Sequence, residues 1–434
     1  MRVAIATLGC KANQYDSALI QESLEKRDFE LVPFSQLAEI YIINTCTVTS
    51  RADFQCRQLI RRAYRNNPKA KIIVTGCYAQ SAPEELKKIP GVTLVVGNSE
   101  KWEIARLLSE PEKFSPSEII VSPIEEESVL YFQEINKFSS RTRFFLKIQD
   151  GCNSQCSYCI VPLVRGKSRS MPLSAVLEQL QIISGSGYQE VVLTGIHLGT
   201  YGLDLSPPFS LLKLLQEIER QKLITRVRLS SIEPNEVTSE FIEFLSDSKI
   251  VCPHLHLPLQ SGDDSILQKM NRPYTTKNFQ TLVEKLASTI KDICLGTDVI
   301  VGFPGEGEQE FNQTVKFIEK LPISYLHVFP FSPRKGTPAF NFSGKVPNFI
   351  VKKRAEHLRN LSKKKRENFY QLYLNKNLPV LVEAKRDQKT GLLKGLSRNY
   401  IPILFGGGEE KINQEITVQI TSVNNEEVRG EVIK

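Results

Sequence analysis

The stretch Asp150-Gly151-Cys152-Asn153-Ser154-Gln155-Cys156-Ser157-Tyr158-Cys159 sets three thiols at spacings of four and three residues, with an aromatic residue just before the last. The spacing is too tight for a sheet and too irregular for one helix face. It reads as a loop wrapped around something. Thiolates this close bind soft metal, either zinc or an iron–sulfur cluster. A closed zinc site needs a fourth ligand, and the nearest downstream histidine, His197, falls on another predicted element. A cubane held by three cysteines keeps one iron open for a small molecule. The plainer alternative is a structural metal knuckle.

Outward from the loop, Arg143-Phe144-Phe145-Leu146-Lys147-Ile148-Gln149 makes the strand that delivers it. Downstream, strand-like and helix-like segments alternate to about residue 345. Strands are predicted at Glu190–Leu193, Arg226–Leu229, His254–Leu257, Ile293–Val301 and Tyr325–Phe329. Helices fall between them, as at Leu173–Ile183 and Thr276–Ile290. This predicts a β/α barrel, full or partial. Polar and glycine residues crowd the predicted strand ends, where barrel active sites are built. Tyr158, Gly195, Ser231, Glu233, Asp298 and Gly302 are the candidate cofactor contacts there. His254 and His256 alternate on one strand and read as hydrogen-bonded lining rather than metal ligands. Arg165 and Arg169 follow the thiol loop and read either as anion holders or as a solvated loop.

Upstream, residues 1–108 also alternate strand and helix, which predicts an open parallel sheet with crossover helices. Cys10, Cys46 and Cys77 each follow a predicted strand, at Val3–Leu8, Ile40–Thr45 and Lys71–Thr75. The carboxyl ends of parallel strands share one edge, so residues about thirty apart can converge there. A second shared metal site is expected, against the alternative of three buried small thiols. Cys56, Cys252 and Cys294 lack this placement and read as core thiols. Residues 109–137 are rich in Ser, Pro and Glu and read as a linker with one short strand at Glu118–Val121. The barrel domain spans 138–368, and 369–434 holds short β-branched strands separated by turns, which predicts a small closed antiparallel barrel. Such a barrel either packs alone or holds single-stranded nucleic acid.

The 434 residues accommodate several domains, and 41% hydrophobic with 24% charged residues is ordinary globular composition. The longest apolar runs are strand-length, which predicts no membrane span. The first ten residues read as a strand rather than a signal peptide. Nine cysteines without a secretion signal argue against a disulfide framework and for a reducing cytoplasm. Net charge is +8, and residues 351–376 alone carry nine Lys or Arg against two Glu. That segment is either a solvated helix face or an attractor for a polyanion.

The Cys-x3-Cys-x2-Cys loop, with an aromatic residue before its third thiol, resembles the radical S-adenosylmethionine (SAM) signature. Together with Ile160-Val161-Pro162, the three N-terminal cysteines and the C-terminal barrel, it resembles the methylthiotransferases over essentially the whole chain. Gly9-Cys10-Lys11-Ala12-Asn13, Asn44-Thr45-Cys46-Thr47-Val48-Thr49 and Thr75-Gly76-Cys77-Tyr78-Ala79-Gln80 resemble the branch that acts on N6-threonylcarbamoyladenosine (t6A) at position 37 of tRNA. Ala12 stands where that branch often has Val.

The resemblance implies two [4Fe–4S] clusters, one on Cys152, Cys156 and Cys159 and one on Cys10, Cys46 and Cys77. SAM on the open iron of the first would yield a 5′-deoxyadenosyl radical that attacks the unactivated adenine C2–H. The second would furnish sulfur, and a second SAM the methyl group. It further implies a C-terminal TRAM domain, an anticodon stem-loop as substrate, an external one-electron donor of flavodoxin or ferredoxin type, a sulfur source and a basic side chain for the threonylcarbamoyl carboxylate. The alternatives are the branches that act on isopentenyladenosine 37 or on a ribosomal-protein aspartate. From a different class, an RNA-binding iron–sulfur sensor would share the barrel and basic helix but has no need of a SAM-binding loop.

Overall fold

A computed structural model describes residues 1–110, 118–135 and 141–433. The parts of the expected linker at 111–117 and 136–137 lie outside the described residues. The chain forms two compact units that do not follow chain order. The first comprises Met1–Ile135, Gln149–Met171 and Ser332–Asn341; the second comprises Asn136–Ile148, Pro172–Phe331 and Phe342–Lys434.

The first unit opens with β1 (Arg2–Thr7), α1 (Lys11–Glu25), β2 (Glu30–Val32), β3 (Ile40–Thr45) and α2 (Ser50–Asn66). It continues with β4 (Lys71–Gly76), α3 (Cys77–Ser81), α4 (Pro83–Lys87), β5 (Val92–Val96), α5 (Ile104–Ser109) and β6 (Glu118–Ile120). The six strands form one parallel sheet in the order β2-β1-β3-β4-β5-β6. Central strands of such a sheet are covered on both faces and read as unbroken apolar runs. Thus Tyr41 and Ile43 pack in one core with Cys56 and Ile60 of α2, while Ile40 and Ile42 pack in the other with Ile20 and Leu24 of α1. The short strand expected near residue 118 is the sheet's edge, and β2 was not anticipated. It is three residues long and forms the opposite edge of the sheet.

In the second unit β7 (Arg143–Lys147) precedes β8 (Gln149–Asp150), α6 (Val161–Arg165) and β9 (Arg169–Ser170), which return to the first. Then come α7 (Leu173–Gly185), β10 (Glu190–Thr194), α8 (Leu211–Gln221), β11 (Arg226–Leu229), α9 (Ser239–Asp247), β12 (His254–His256), α10 (Asp264–Lys269), α11 (Thr276–Thr289), β13 (Cys294–Val301), α12 (Glu308–Lys320), β14 (Tyr325–Pro330) and α13 (Asn348–Gln371). The parallel strands form two triplets, β11-β10-β7 and β12-β13-β14, so the barrel is a partial one. Isolated pairing of Val227 with Val251 approaches the seam between them.

The C-terminal strands β15 (Asn377–Val382), β16 (Leu393–Ser397), β17 (Pro402–Phe405), β18 (Glu415–Asn424) and β19 (Glu427–Val432) close a barrel in the order β15-β16-β17-β19-β18. Four of its pairings are antiparallel, and β17 meets β19 in parallel. Val380, Val382, Phe405 and Val418 fill it, and Phe369, Tyr370 and Tyr373 of α13 join its core. Glu190 also ties this barrel to the partial one. It pairs with Arg226 (2.8 Å) and Arg228 (2.9 Å), and these arginines donate to the Leu396, Ser397 and Arg398 carbonyls and to Glu415.

Candidate functional site

All six candidate cysteines lie in the first unit. Cys10 caps α1 just after β1, Cys46 follows β3, and Cys77 opens α3 directly after β4. Cys10 is exposed, whereas Cys46 and Cys77 are buried. Two side chains hold the three loops together. Asn13 Nδ2 donates to the Leu8 carbonyl (2.7 Å) and the Thr45 carbonyl (2.9 Å). Thr45 Oγ1 donates to the Thr75 carbonyl (2.5 Å) and accepts from the Tyr78 N–H (3.2 Å).

The glycine before Cys10 and the one before Cys77 are required by the backbone. Gly9 (φ +102°) lies where a Cβ would meet Cys46 Cβ at 2.8 Å and Sγ at 3.1 Å. Gly76 (φ +92°) lies where one would meet Asn44 Oδ1 at 2.4 Å. Any other residue would push the thiols apart or force a conformation that L residues avoid. Burial, with Cys77 and Cys10 nearby, pushes the Cys46 thiol up to about 12. Protein groups alone therefore disfavour the Cys46 thiolate, which a bound cationic metal centre would stabilise. The donor set fits an iron–sulfur cluster.

The second trio follows β8. Gly151 (φ +74°) would place a Cβ 1.9 Å from the Lys167 carbonyl, so this turn too needs glycine. The Cys152 N–H donates to the Gly166 carbonyl (3.0 Å), and Cys159 N–H to the Cys156 carbonyl (3.1 Å). The Ser154 N–H points at Cys152 Sγ (3.4 Å). Cys152, Cys156 and Cys159 are all partly exposed, as open ligands must be. The three stand on the irregular loop expected for them, and Tyr158 is half-buried within it.

Arg165 corrects the expectation of a ligand-holding or solvated side chain. It is wholly buried and donates to both oxygens of Asp150 (2.8 Å each), to Asn13 Oδ1 and to Asp16 (3.3 Å). Asp16 also takes Lys101 at 2.6 Å. The guanidinium thus joins the residue two before Cys152 to residues three and six after Cys10. Cys77, Ile160 and Val164 pack together alongside. Arg169 donates inward too, to the Arg165 carbonyl (2.8 Å) and the Glu127 carbonyl (3.3 Å).

In the second unit the candidate contacts fall at strand ends. The Gly195 N–H reaches Ser230 Oγ (3.4 Å), and Ser231 is exposed. Glu233 is already paired with Arg272. Gly302 (φ +76°) donates its N–H to Glu306 (2.9 Å), and Val351 leaves no space for a Cβ. Asp298 is not alone. Its Oδ1 meets His256 Nε2 at 2.7 Å and His327 Nδ1 at 3.3 Å. Burial pushes this carboxyl up, but the two imidazoles prevail and hold it well below the usual carboxylate range. His254 and His256 share the Tyr325 hydroxyl at 2.8 and 3.2 Å, the hydrogen-bonded lining expected for them. His327 was missed. The signal was present, since Tyr325, His327 and Phe329 alternate on one strand face.

On α13 the basic run is divided. Arg354 is buried against Glu306 (2.6 Å) and Arg366 pairs with Glu426, while Lys352, Lys353, Arg359, Lys363 and Lys364 are exposed. On α2 Arg57 donates to Tyr78 (2.7 Å), and Arg61, Arg62 and Arg65 are exposed.

A partial β/α barrel following a three-thiol loop of this spacing defines the radical SAM class. The Radical SAM superfamily model matches residues 146–318, and the model described as uncharacterized protein family UPF0004 matches residues 2–97. The fold is similar to that of TsrM, a radical SAM methyltransferase from Kitasatospora setae, with a TM-score of 0.57 at 16% identity over 78% of this chain and 76% of that one. Two curated relatives are named threonylcarbamoyladenosine tRNA methylthiotransferase MtaB. The one from Bacillus subtilis (strain 168) is 38% identical over 100% of this chain and 96% of its own length. The one from Aquifex aeolicus is 39% identical over 94% and 98%. A relative from Clostridium tetani named tRNA-2-methylthio-N(6)-dimethylallyladenosine synthase is 32% identical over 99% and 96%. The chain belongs to the methylthiotransferase family of radical SAM proteins.

Proposed function

We propose that the protein replaces the C2 hydrogen of t6A at position 37 of tRNA with a methylthio group. The observation that carries this reading is full-length similarity at 38–39% identity to relatives named for that reaction, against 32% to one named for the dimethylallyl substrate. The adenine C2–H is neither acidic nor beside a leaving group, so no side-chain base or nucleophile could effect the exchange. When bound, a [4Fe–4S] cluster on each trio supplies the missing chemistry, reductive cleavage of SAM at one and sulfur for the product at the other.

The chain's own residues bind and orient. Cys152, Cys156 and Cys159 hold the first cluster; Cys10, Cys46 and Cys77 hold the second. Tyr158, Gly195, Ser231, Glu233 and Gly302 are the SAM contacts, while Asp298, the sixth candidate, is engaged by His256 and His327. The working domains are 1–108, 138–368 and 369–434. The exposed basic residues of α13 and α2 and the C-terminal barrel meet phosphates of the stem-loop, positioning it without reading sequence. An external one-electron donor and a sulfur source serve the reaction in the cytoplasm. No helix of the described residues is long and apolar enough to cross a membrane.

Mass spectrometry of tRNA nucleosides from a strain lacking the gene tests the reading. The methylthio derivative of t6A should vanish. Loss of only the isopentenyl-type derivative would overturn the branch assignment. The Cys10→Ala, Cys46→Ala, Cys77→Ala triple variant should still cleave SAM yet form no methylthio product; full product formation would refute the second trio's role.

A further inference from the structure

We propose that His327 recognises the carboxylate of the threonylcarbamoyl group, with Asp298 as its positioning residue; this rests on the t6A reading above.

The second unit contains a hydrogen-bonded chain running from a buried end to an exposed one. His254 Nε2 meets the Tyr325 hydroxyl, that hydroxyl meets His256 Nδ1, His256 Nε2 meets Asp298, and Asp298 meets His327 Nδ1. The strand register produces this order. His256 lies beside Gly296 and Gly296 beside Tyr325, while Asp298 lies beside His327 one step further along the same strands. Gly296 has no room for a side chain, since a Cβ would meet the Tyr325 ring at 2.2 Å and His256 Nδ1 at 2.7 Å. The buried end is locked by His254 stacking on Tyr400 at 4.1 Å and by Arg366 over the Tyr325 ring.

The outer end of the chain is an imidazole whose side chain is 53% exposed, so a solute can reach it. Among the described residues, nothing in the protein takes the Nε2 of His327. Both imidazoles address the same oxygen of Asp298, so the three groups saturate one another as a relay rather than stand open as a metal's ligand set. Asp298 fixes the ring through Nδ1 and leaves Nε2 as the outer ring nitrogen, which donates to an anion whenever the ring carries both protons.

The threonylcarbamoyl group differs from an isopentenyl group chiefly in its carboxylate and hydroxyl. A site that hydrogen-bonds such a group rejects an analogue lacking it far better than an apolar pocket rejects an added one. On this inference His327 sets the choice of adenosine.

The test is binding of three anticodon stem-loop RNAs, bearing t6A, unmodified adenosine or isopentenyladenosine at position 37, to the reconstituted protein and its variants. Wild type should prefer the t6A RNA by roughly tenfold or more, the effect of one charge-assisted hydrogen bond. His327→Leu should lose that preference while its affinity for the unmodified RNA is unchanged. His327→Gln, which keeps an N–H donor, should retain part of it. In turnover, His327→Leu should raise KM for the t6A RNA more than it lowers kcat.

A His327→Leu protein that keeps the full preference overturns the inference and leaves the t6A reading intact. Wild type that favours the isopentenyl RNA overturns both. Loss of affinity for all three RNAs in both variants would mark the residue as structural and overturn the inference alone.

Discussion

Arg165 is the residue on which the first unit's charge balance turns. Its guanidinium faces Asp150 and Asp16, both nearly or wholly inaccessible to water. Removing one partner of a buried ion pair strands the others. Arg165→Met should therefore cost about 3–5 kcal/mol, read as a lower denaturant midpoint of the metal-free protein. Arg165→Lys should recover only part, because a single ammonium cannot hold the Asp150 carboxylate in a two-pronged grip. Local sequence could not have revealed this. The partner Asp16 lies 149 positions earlier, and an arginine after a metal loop looks like an anion holder. The placement of Cys10, Cys46 and Cys77 after strands was legible by contrast, because strand-end position is a local fact. His327 falls between these cases: its face was readable from alternation, its partner Asp298 only from register.

At the scale of the element, strand order and glycine placement shape the cysteine loops. Gly76→Ala would force a strained φ and a contact with Asn44 in the turn between β4 and α3. Iron analysis of the anaerobically reconstituted variant should fall from about eight toward about four per chain, with the Cys152 cluster retained. The β10–β11 pair carries a second prediction. Burial pushes Glu190 up, but Arg228 and Arg226 outweigh it and bring the carboxyl down to about 2. The unfolded chain therefore binds the proton first as pH falls. The pair's stabilisation is complete above roughly pH 4.3 and is lost as pH drops toward about 2. Thermal unfolding followed from pH 6 downward should show this loss in wild type. Glu190→Gln should be less stable at pH 6, with two arginines left uncompensated, and flatter through that acid window.

Most elements were legible because β/α alternation repeats with a clear period: the parallel strands after Cys152 fall within a few residues of expectation, and the C-terminal barrel forms within the span expected for it. The partial closure was not legible, because the gap between the β11 and β12 triplets depends on strand ends rather than strand cores.

For the whole molecule, the division into two units decides what each stretch of chain accomplishes. The segment Ser332–Asn341 belongs to the first unit although it is surrounded in sequence by the second. Ser332 Oγ accepts from the Ser50 N–H (2.9 Å), Arg334 pairs with Asp53 (2.7 Å) and reaches Thr47 (3.1 Å), and the Ala339 N–H donates to the Ser157 carbonyl (2.8 Å). Thr47 follows Cys46 directly, and Ser157 follows Cys156. One ten-residue segment therefore braces both thiol loops. During synthesis on the ribosome, the earliest cysteine emerges hundreds of residues before that brace does. Neither thiol loop is fully braced until residues 332–341 have left the ribosome, so the arrangement seen around both cysteine trios is completed only late in translation.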